Sequence, residues 1–257
     1  MLFIGRDFRA GLRDALYRPF NPAGLIGAIC IFLALFILNQ VVLQPAFAVG
    51  IVAAISGLAS IKTEFLRGAM LSILPAGLLT AWLAWMLARR HGADPRDVLA
   101  LRLPKLGLIG WISMLAIFMA SLLCIFAFIS WLFGFDLTSS GDVEKTVMQL
   151  NGDRLFYLIA AGLVIGGPLS EEMTFRGQIF AALAESRVGV IGASIITSAL
   201  WAGVHITEPL HVIGLLFLMG LALSWLLVRF GSLWLPILCH AAWNGLQALA
   251  LYGTGTQ

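Results

Sequence analysis

Two adjacent carboxylates, Glu171 and Glu172, stand with Arg176 in the stretch Gly-Gly-Pro-Leu-Ser-Glu-Glu-Met-Thr-Phe-Arg-Gly at 166–177, between apolar runs at 155–165 and 179–183. A charge at or inside the edge of a hydrophobic segment is costly unless it is paired or faces a polar cavity, so it marks a functional site by default. On a helix, Glu172 and Arg176 are i,i+4 neighbours and can pair. Glu171 then points about 100° away from Glu172 and is left for other work. Taken alone, the group reads equally well as a salt-bridged helix end. Two later histidines shift that balance. Trp201 and His205 share a helix face in Trp-Ala-Gly-Val-His, and His240 and Asn244 share another in His-Ala-Ala-Trp-Asn. Singly, each histidine reads as a hydrogen bonder between membrane helices. With Glu171 they supply a base, a second base or ligand, and hydrogen-bond donors. Hydrolysis needs those parts to activate water and to hold a developing oxyanion.

The elements that must position these groups are membrane helices. The 257 residues are 60% hydrophobic and 11% charged, with a mean hydropathy of +0.97. Soluble domains are nearer half apolar and a quarter charged. The composition therefore predicts an all-α polytopic membrane bundle of six to eight transmembrane helices. A net charge of +3 does not point to nucleic acid; arginines in cytoplasmic loops account for it. Cys30, Cys124 and Cys239 lack zinc-type spacing and read as small core hydrophobes.

Residues 1–22 set Arg6, Arg9, Arg13 and Arg18 among apolar side chains. They predict an amphipathic interfacial helix on the cytoplasmic face rather than a cleavable signal peptide. Residues 23–105 form the N-terminal transmembrane part and 106–257 the core that carries the motifs. The first span is expected over 23–43, ending before Pro45, with 47–61 a short re-entrant or tilted segment. Further spans fall at 66–88, kinked by Pro75, at 106–133, from 155 to about 169, at 188–206, 211–228 and 232–251. The basic loop 89–105 is cytoplasmic by the positive-inside rule, with His91 solvated in it, and the acidic segment 136–154 lies opposite. Gly166-Gly167-Pro168 is expected to break the helix before Glu171. Straight helices then leave Glu171 and His205 about 20 Å apart in depth. Catalysis requires either a helix that continues through the Glu-Glu motif or a recessed turn at 205–211. Glu208 and His211 flank Pro209 in that turn; they read as a solvated turn, with gating or extending the site as the alternative.

The three motifs together resemble those of the CAAX-processing and bacteriocin-processing intramembrane proteases, the type II CAAX prenyl endopeptidase group. Glu171-Glu172-Met-Thr-Phe-Arg176 matches the family's EExxxR, and His240 to Asn244 its HxxxN. Trp201 to His205 is similar to its FxxxH, with Trp for Phe. Order and spacing agree over roughly residues 110–250. The resemblance implies that Glu171 is the catalytic carboxylate and His205 its partner in activating water. It implies that His240 and Asn244 bind the oxyanion and that Glu172 and Arg176 brace the site. The implied protein is an integral membrane endopeptidase, of the bacterial inner membrane with a cytoplasmic N-terminus. Its partners would be the lipid bilayer and membrane-embedded or membrane-associated peptides. Cofactors are none or zinc. A zinc version would use Glu171, His205 and His240 around an open position, although no HExxH spacing is present. Two rivals are a non-catalytic immunity or binding protein of the same fold and a proton-coupled transporter. The latter is disfavoured by the lack of an internal repeat.

Overall fold

Pro45 lies inside a helix rather than at the end of one. The computed structural model describes residues 16–57, 61–134 and 155–254, with the backbone alone at 61–63, 91 and 251–254. Its first helix, α1, runs over Gly24–Ser56 as a single 33-residue apolar span. The middle of α1 is a π-helical turn, Leu38–Leu43, and Pro45 falls in the first turn of the α-helix that restarts at Gln44. A proline ring crowds the carbonyl four residues back and removes one hydrogen bond. The wider π turn has already displaced that carbonyl, so the helix passes through. The expected end at residue 43 and the separate 47–61 segment are thereby corrected. Gly57, at φ 80°, ends α1.

The other long helices are α2 (Ile61–Ala88, with Pro75 inside), α3 (Leu108–Phe133), α4 (Phe156–Glu185), α5 (Gly189–Gly203), α6 (Leu210–Phe230) and α7 (Trp234–Thr254). Five of them, α1 to α4 and α6, are long and apolar enough to cross a membrane. No strand occurs among the described residues. Large apolar side chains such as Ile26, Ile109, Trp131 and Leu249 point outward, which a bilayer tolerates and water does not. This is an integral membrane protein built as a helical bundle. Cys239 is buried as expected, but Cys30 and Cys124 lie on the exposed apolar surface rather than in the core.

One end of the bundle collects the arginine-bearing connections. Residues 16–22 are not helical, which corrects the expected interfacial helix over that part. Instead they form a strap tied to the bundle. Tyr17 N–H donates to Val228 O at 3.2 Å, and the Tyr17 ring meets Phe180 edge-on at 5.6 Å. Burial, reinforced by nearby Glu185, pushes the Tyr17 phenol up. Asn21 donates from Nδ2 to Gln178 O at 2.9 Å and from its backbone N–H to Glu185 Oε2 at 3.2 Å. These buried polar contacts hold the strap against the end of α4, where an interfacial helix could not reach them. At the same end Leu233 N–H donates to Ala100 O at 2.8 Å, joining the 89–107 loop to the α6–α7 turn. Asp94 caps the helical turn Pro95–Val98 through the Arg96 N–H. Arg102 pairs with Asp97 and, at 3.2 Å, with Asp94. The remainder of the predicted interfacial helix (1–15), the acidic 136–154 segment and the His91 side chain lie outside the described residues.

Candidate active site in the α4–α7 core

The placement of the carboxylates follows from how α4 is built. A π-helical segment, Gly162–Gly166, precedes the α-helical turn Gly167–Glu171, whose first turn holds Pro168. A second π segment follows at Glu172–Ile179. The arrangement repeats the π turn before Pro45 and has the same consequence. The expected break at Gly166-Gly167-Pro168 does not occur, and α4 continues to Glu185 as a 30-residue span. Small residues let it approach α2 closely. A Cβ on Gly77 would sit 2.3 Å from Gly166 O, and one on Gly166 would sit 2.6 Å from Ile73 O. Glu171 is thus near mid-span, roughly 20 Å from either end at 1.5 Å per residue, not at the cytoplasmic edge as expected. The 15-residue α5 rises only about 22 Å, less than the ~30 Å apolar core of a bilayer. Its C-terminal end therefore stops at the depth of Glu171. Both remedies for the depth mismatch are present: a continuous α4 and a recessed turn after α5.

Glu172 and Arg176 are fully buried and paired at 3.0 Å, as their i,i+4 spacing predicts. Glu172 Oε1 also accepts from His240 Nδ1 at 3.0 Å. Arg176 donates from Nη2 to Gly220 O at 3.4 Å, and its guanidinium lies 4.9 Å over the Trp201 ring, a favourable cation–π placement. The neighbouring Glu171 turns the other way and keeps 30% of its side chain accessible. Its Oε2 accepts the Trp201 indole N–H at 2.6 Å and lies 4.0 Å from His240 Nε2.

The partners of each histidine settle its tautomer. His205 Nδ1 lies 2.9 Å from Trp201 O. A carbonyl only accepts, so Nδ1 carries the proton and Nε2 presents a lone pair. His240 Nδ1 meets the Glu172 carboxylate, also an acceptor, which turns Nε2 toward Glu171. Asn244 donates from Nδ2 to Leu163 O at 2.9 Å, a carbonyl within the first π segment of α4.

Glu171, His205, His240 and Asn244 line a single cavity of about 540 Å³. Glu171, Trp201, His240, Glu172 and Arg176 form a connected polar chain. The side-chain bonds of His205 and Asn244 go to backbone carbonyls. Of the two residues flanking Pro209, Glu208 lines the cavity, as the alternative of a site extension has it. Two contributions escaped the sequence reading. Trp201 ligates Glu171 directly, where the sequence suggests only an aromatic spacer; a hydrogen-bonding indole one turn before His205 is the signal. Asn39, Gln40, Gln44 and Thr80 also line the cavity, and three amides clustered just before Pro45 are the signal there. Among the described residues no three His, Cys, Asp or Glu side chains are placed to hold one metal ion.

Comparison with known proteins places this geometry. Residues 153–246 match the family model described as type II CAAX prenyl endopeptidase Rce1-like. Over that stretch the chain is similar to the Rce1-like family. The matched residues run from the start of α4 into α7 and take in Glu171, Glu172, Arg176, Trp201, His205, His240 and Asn244. The match supports the general class of an intramembrane CAAX-type endopeptidase. No curated protein and no solved structure matches the chain.

Proposed function

We propose that this protein is a glutamate-dependent intramembrane endopeptidase acting on membrane-embedded or membrane-associated peptides. Its arginine-rich end would face the cytoplasm of a bacterial inner membrane. The observation that carries the reading is the Glu171 carboxylate, held by Trp201 at 2.6 Å on the wall of a cavity that His240 shares. The 4.0 Å between Glu171 Oε2 and His240 Nε2 is too long for a direct hydrogen bond and suits a bridging water. In this reading Glu171 takes a proton from that water as its oxygen attacks the scissile carbonyl. His205 Nε2, its lone pair exposed by the Trp201 bond, orients the water. His240, held through Nδ1 by the Glu172 carboxylate, turns Nε2 into the cavity and, when that nitrogen carries a proton, donates to the developing oxyanion. Asn244 contributes its second amide N–H while the first stays on Leu163 O. The C–N bond breaks as Glu171 returns the proton to the departing amine. Arg176 balances Glu172, so that His240 faces a paired carboxylate rather than a bare one.

The test compares new peptide termini in membranes that express wild type and Glu171→Gln at equal levels. Termini found only with the wild type establish proteolysis and reveal the substrate class. Identical terminal profiles alongside a preserved protein-dependent phenotype would transfer the reading to a non-catalytic binding protein.

A further inference from the structure

Three amide side chains occupy the middle of α1, the depth at which a membrane helix has least reason to carry them. Asn39 is buried and donates from Nδ2 to Thr80 Oγ1 at 2.7 Å and to Ala76 O at 3.4 Å. Its Oδ1 accepts from Gln44 Nε2 at 2.8 Å and Gln40 Nε2 at 3.3 Å. Asn39 is therefore saturated: two donors and two lone pairs are all in use. The Asn39–Thr80 bond by itself suffices to tie α1 to α2. The two glutamines add nothing to that tie, and both line the cavity that holds Glu171. Each described π segment sends at least one residue to this cavity: Asn39 and Gln40 from the first, Leu163 from the second, Thr174 and Phe175 from the third. Such bulges recur at functional sites. Residues 39–44 also lie outside the matched 153–246 domain.

We infer that Gln40 and Gln44, oriented by Asn39, form a subsite that hydrogen-bonds the backbone amides of an extended peptide substrate; this rests on the protease reading above. The demand for such a subsite is physical. A peptide bond inside a membrane helix is shielded, so cleavage needs an unwound stretch. Its N–H and C=O groups, once released, are costly to leave unpaired in a low-dielectric place. A primary amide offers a donor and an acceptor at the spacing of another amide. Each glutamine retains one N–H and its side-chain carbonyl beyond the bond to Asn39. Among the described residues the cavity wall carries no Lys or Arg, which suits a neutral backbone better than a carboxylate. A volume of about 540 Å³ lies within the range of small-ligand sites and takes a short extended segment.

The experiment uses the full-length protein in detergent micelles with a pool of internally quenched peptides, half of them farnesylated on cysteine. Wild type, Glu171→Gln, Gln40→Leu and Gln44→Leu are compared. The best-cleaved peptide is then remade as a series with one backbone N-methyl group at each position in turn. Each glutamine variant should raise KM by about fivefold, the value of one neutral hydrogen bond, with kcat nearly unchanged. In the wild type, N-methylation at one or two positions should raise KM similarly, and in the matching glutamine variant the same methyl group should have no further effect. Unfolded variants are recognised by loss of the monodisperse gel-filtration peak, and for these Gln→Met replaces Gln→Leu. Active variants with unchanged KM and an unchanged N-methyl profile overturn the subsite while leaving the protease reading in place. A wild type no more active than Glu171→Gln on the whole pool overturns both.

Discussion

Trp201 donates its indole N–H to Glu171 at 2.6 Å, across 30 residues of sequence. The same ring lies under the Arg176 guanidinium at 4.9 Å and 5.2 Å from the His240 ring. One side chain thereby orients the exposed carboxylate and covers the buried ion pair. A phenylalanine at this place could perform only the second task. The aromatic-for-aromatic change that separates this chain from the FxxxH pattern is therefore a change in chemistry.

Trp201→Phe separates the two tasks. It keeps a ring over Arg176 and deletes the donor to Glu171. A hydrogen bond to a charged group contributes about 1.5–3 kcal/mol, so kcat/KM should drop by roughly ten- to a hundredfold. Kinetics on a cleaved peptide, alongside thermal unfolding in detergent, would check it. An unchanged kcat/KM would show that Glu171 needs no help from the indole.

Arg176→Ala leaves Glu172 fully buried without its cation. Breaking a buried pair on one side costs about 3–5 kcal/mol, so the variant should unfold at a markedly lower temperature or fail to accumulate. Adding Glu172→Gln to it should recover part of the loss, because the stranded charge is gone. Melting temperatures of the single and double variants decide this. Equal melting of the two would mean that Arg176 acts through packing on Trp201 rather than through its charge.

Gly166→Ala probes the α2–α4 crossing. Its new Cβ would lie 2.6 Å from Ile73 O, a backbone atom that cannot swing aside. The helices must part, at a cost of about 1–3 kcal/mol, and Leu163 with its Asn244 bond must move as well. Both melting temperature and kcat should decrease. Gly203→Ala, where a Cβ meets nothing within 4 Å, should leave stability nearly unchanged and serves as the control.

The arginine-rich end should show a mild acid sensitivity. The Arg96 hydrogen bonds hold the Asp94 carboxyl below its ordinary value, and Arg102 does the same for Asp97. A lowered folded-state value means that the stabilisation is complete above the unfolded value near 3.9 and is lost as pH falls through the lower folded one. These groups are solvent-exposed, so the effect should be small and screened by salt. The difference in melting temperature between wild type and Arg102→Ala should be present at pH 6 and vanish as pH drops below about 4. A difference that persists at low pH would assign Arg102 a packing role instead.

The sequence by itself determined the class of protein and which polar side chains would meet. Apolar runs of about 20 residues allow only helices in a bilayer, because each backbone group must be satisfied within its own segment. The i,i+4 spacing of Glu172 and Arg176 is a local relation, so their pairing could be read before any fold was known. The grouping of Glu171 with His205, His240 and Asn244 was legible for another reason. Charged and imidazole groups are so costly in apolar helices that they must converge on something polar.

Tertiary structure decided depth, partners and the rest of the cavity lining. Pro45 and Pro168 read as helix ends, since a proline's local cost is fixed. Whether a π turn absorbs that cost depends on neighbouring helices, such as α2 pressed against Gly166. The same local reading placed Glu171 at a membrane edge and hid Gln40 and Gln44 from the site. The Trp201–Glu171 bond joins residues whose meeting requires the short α5 to stop where the continuous α4 carries its carboxylate. Spacing along one chain records faces of one helix. It holds no record of how far two helices run before they meet.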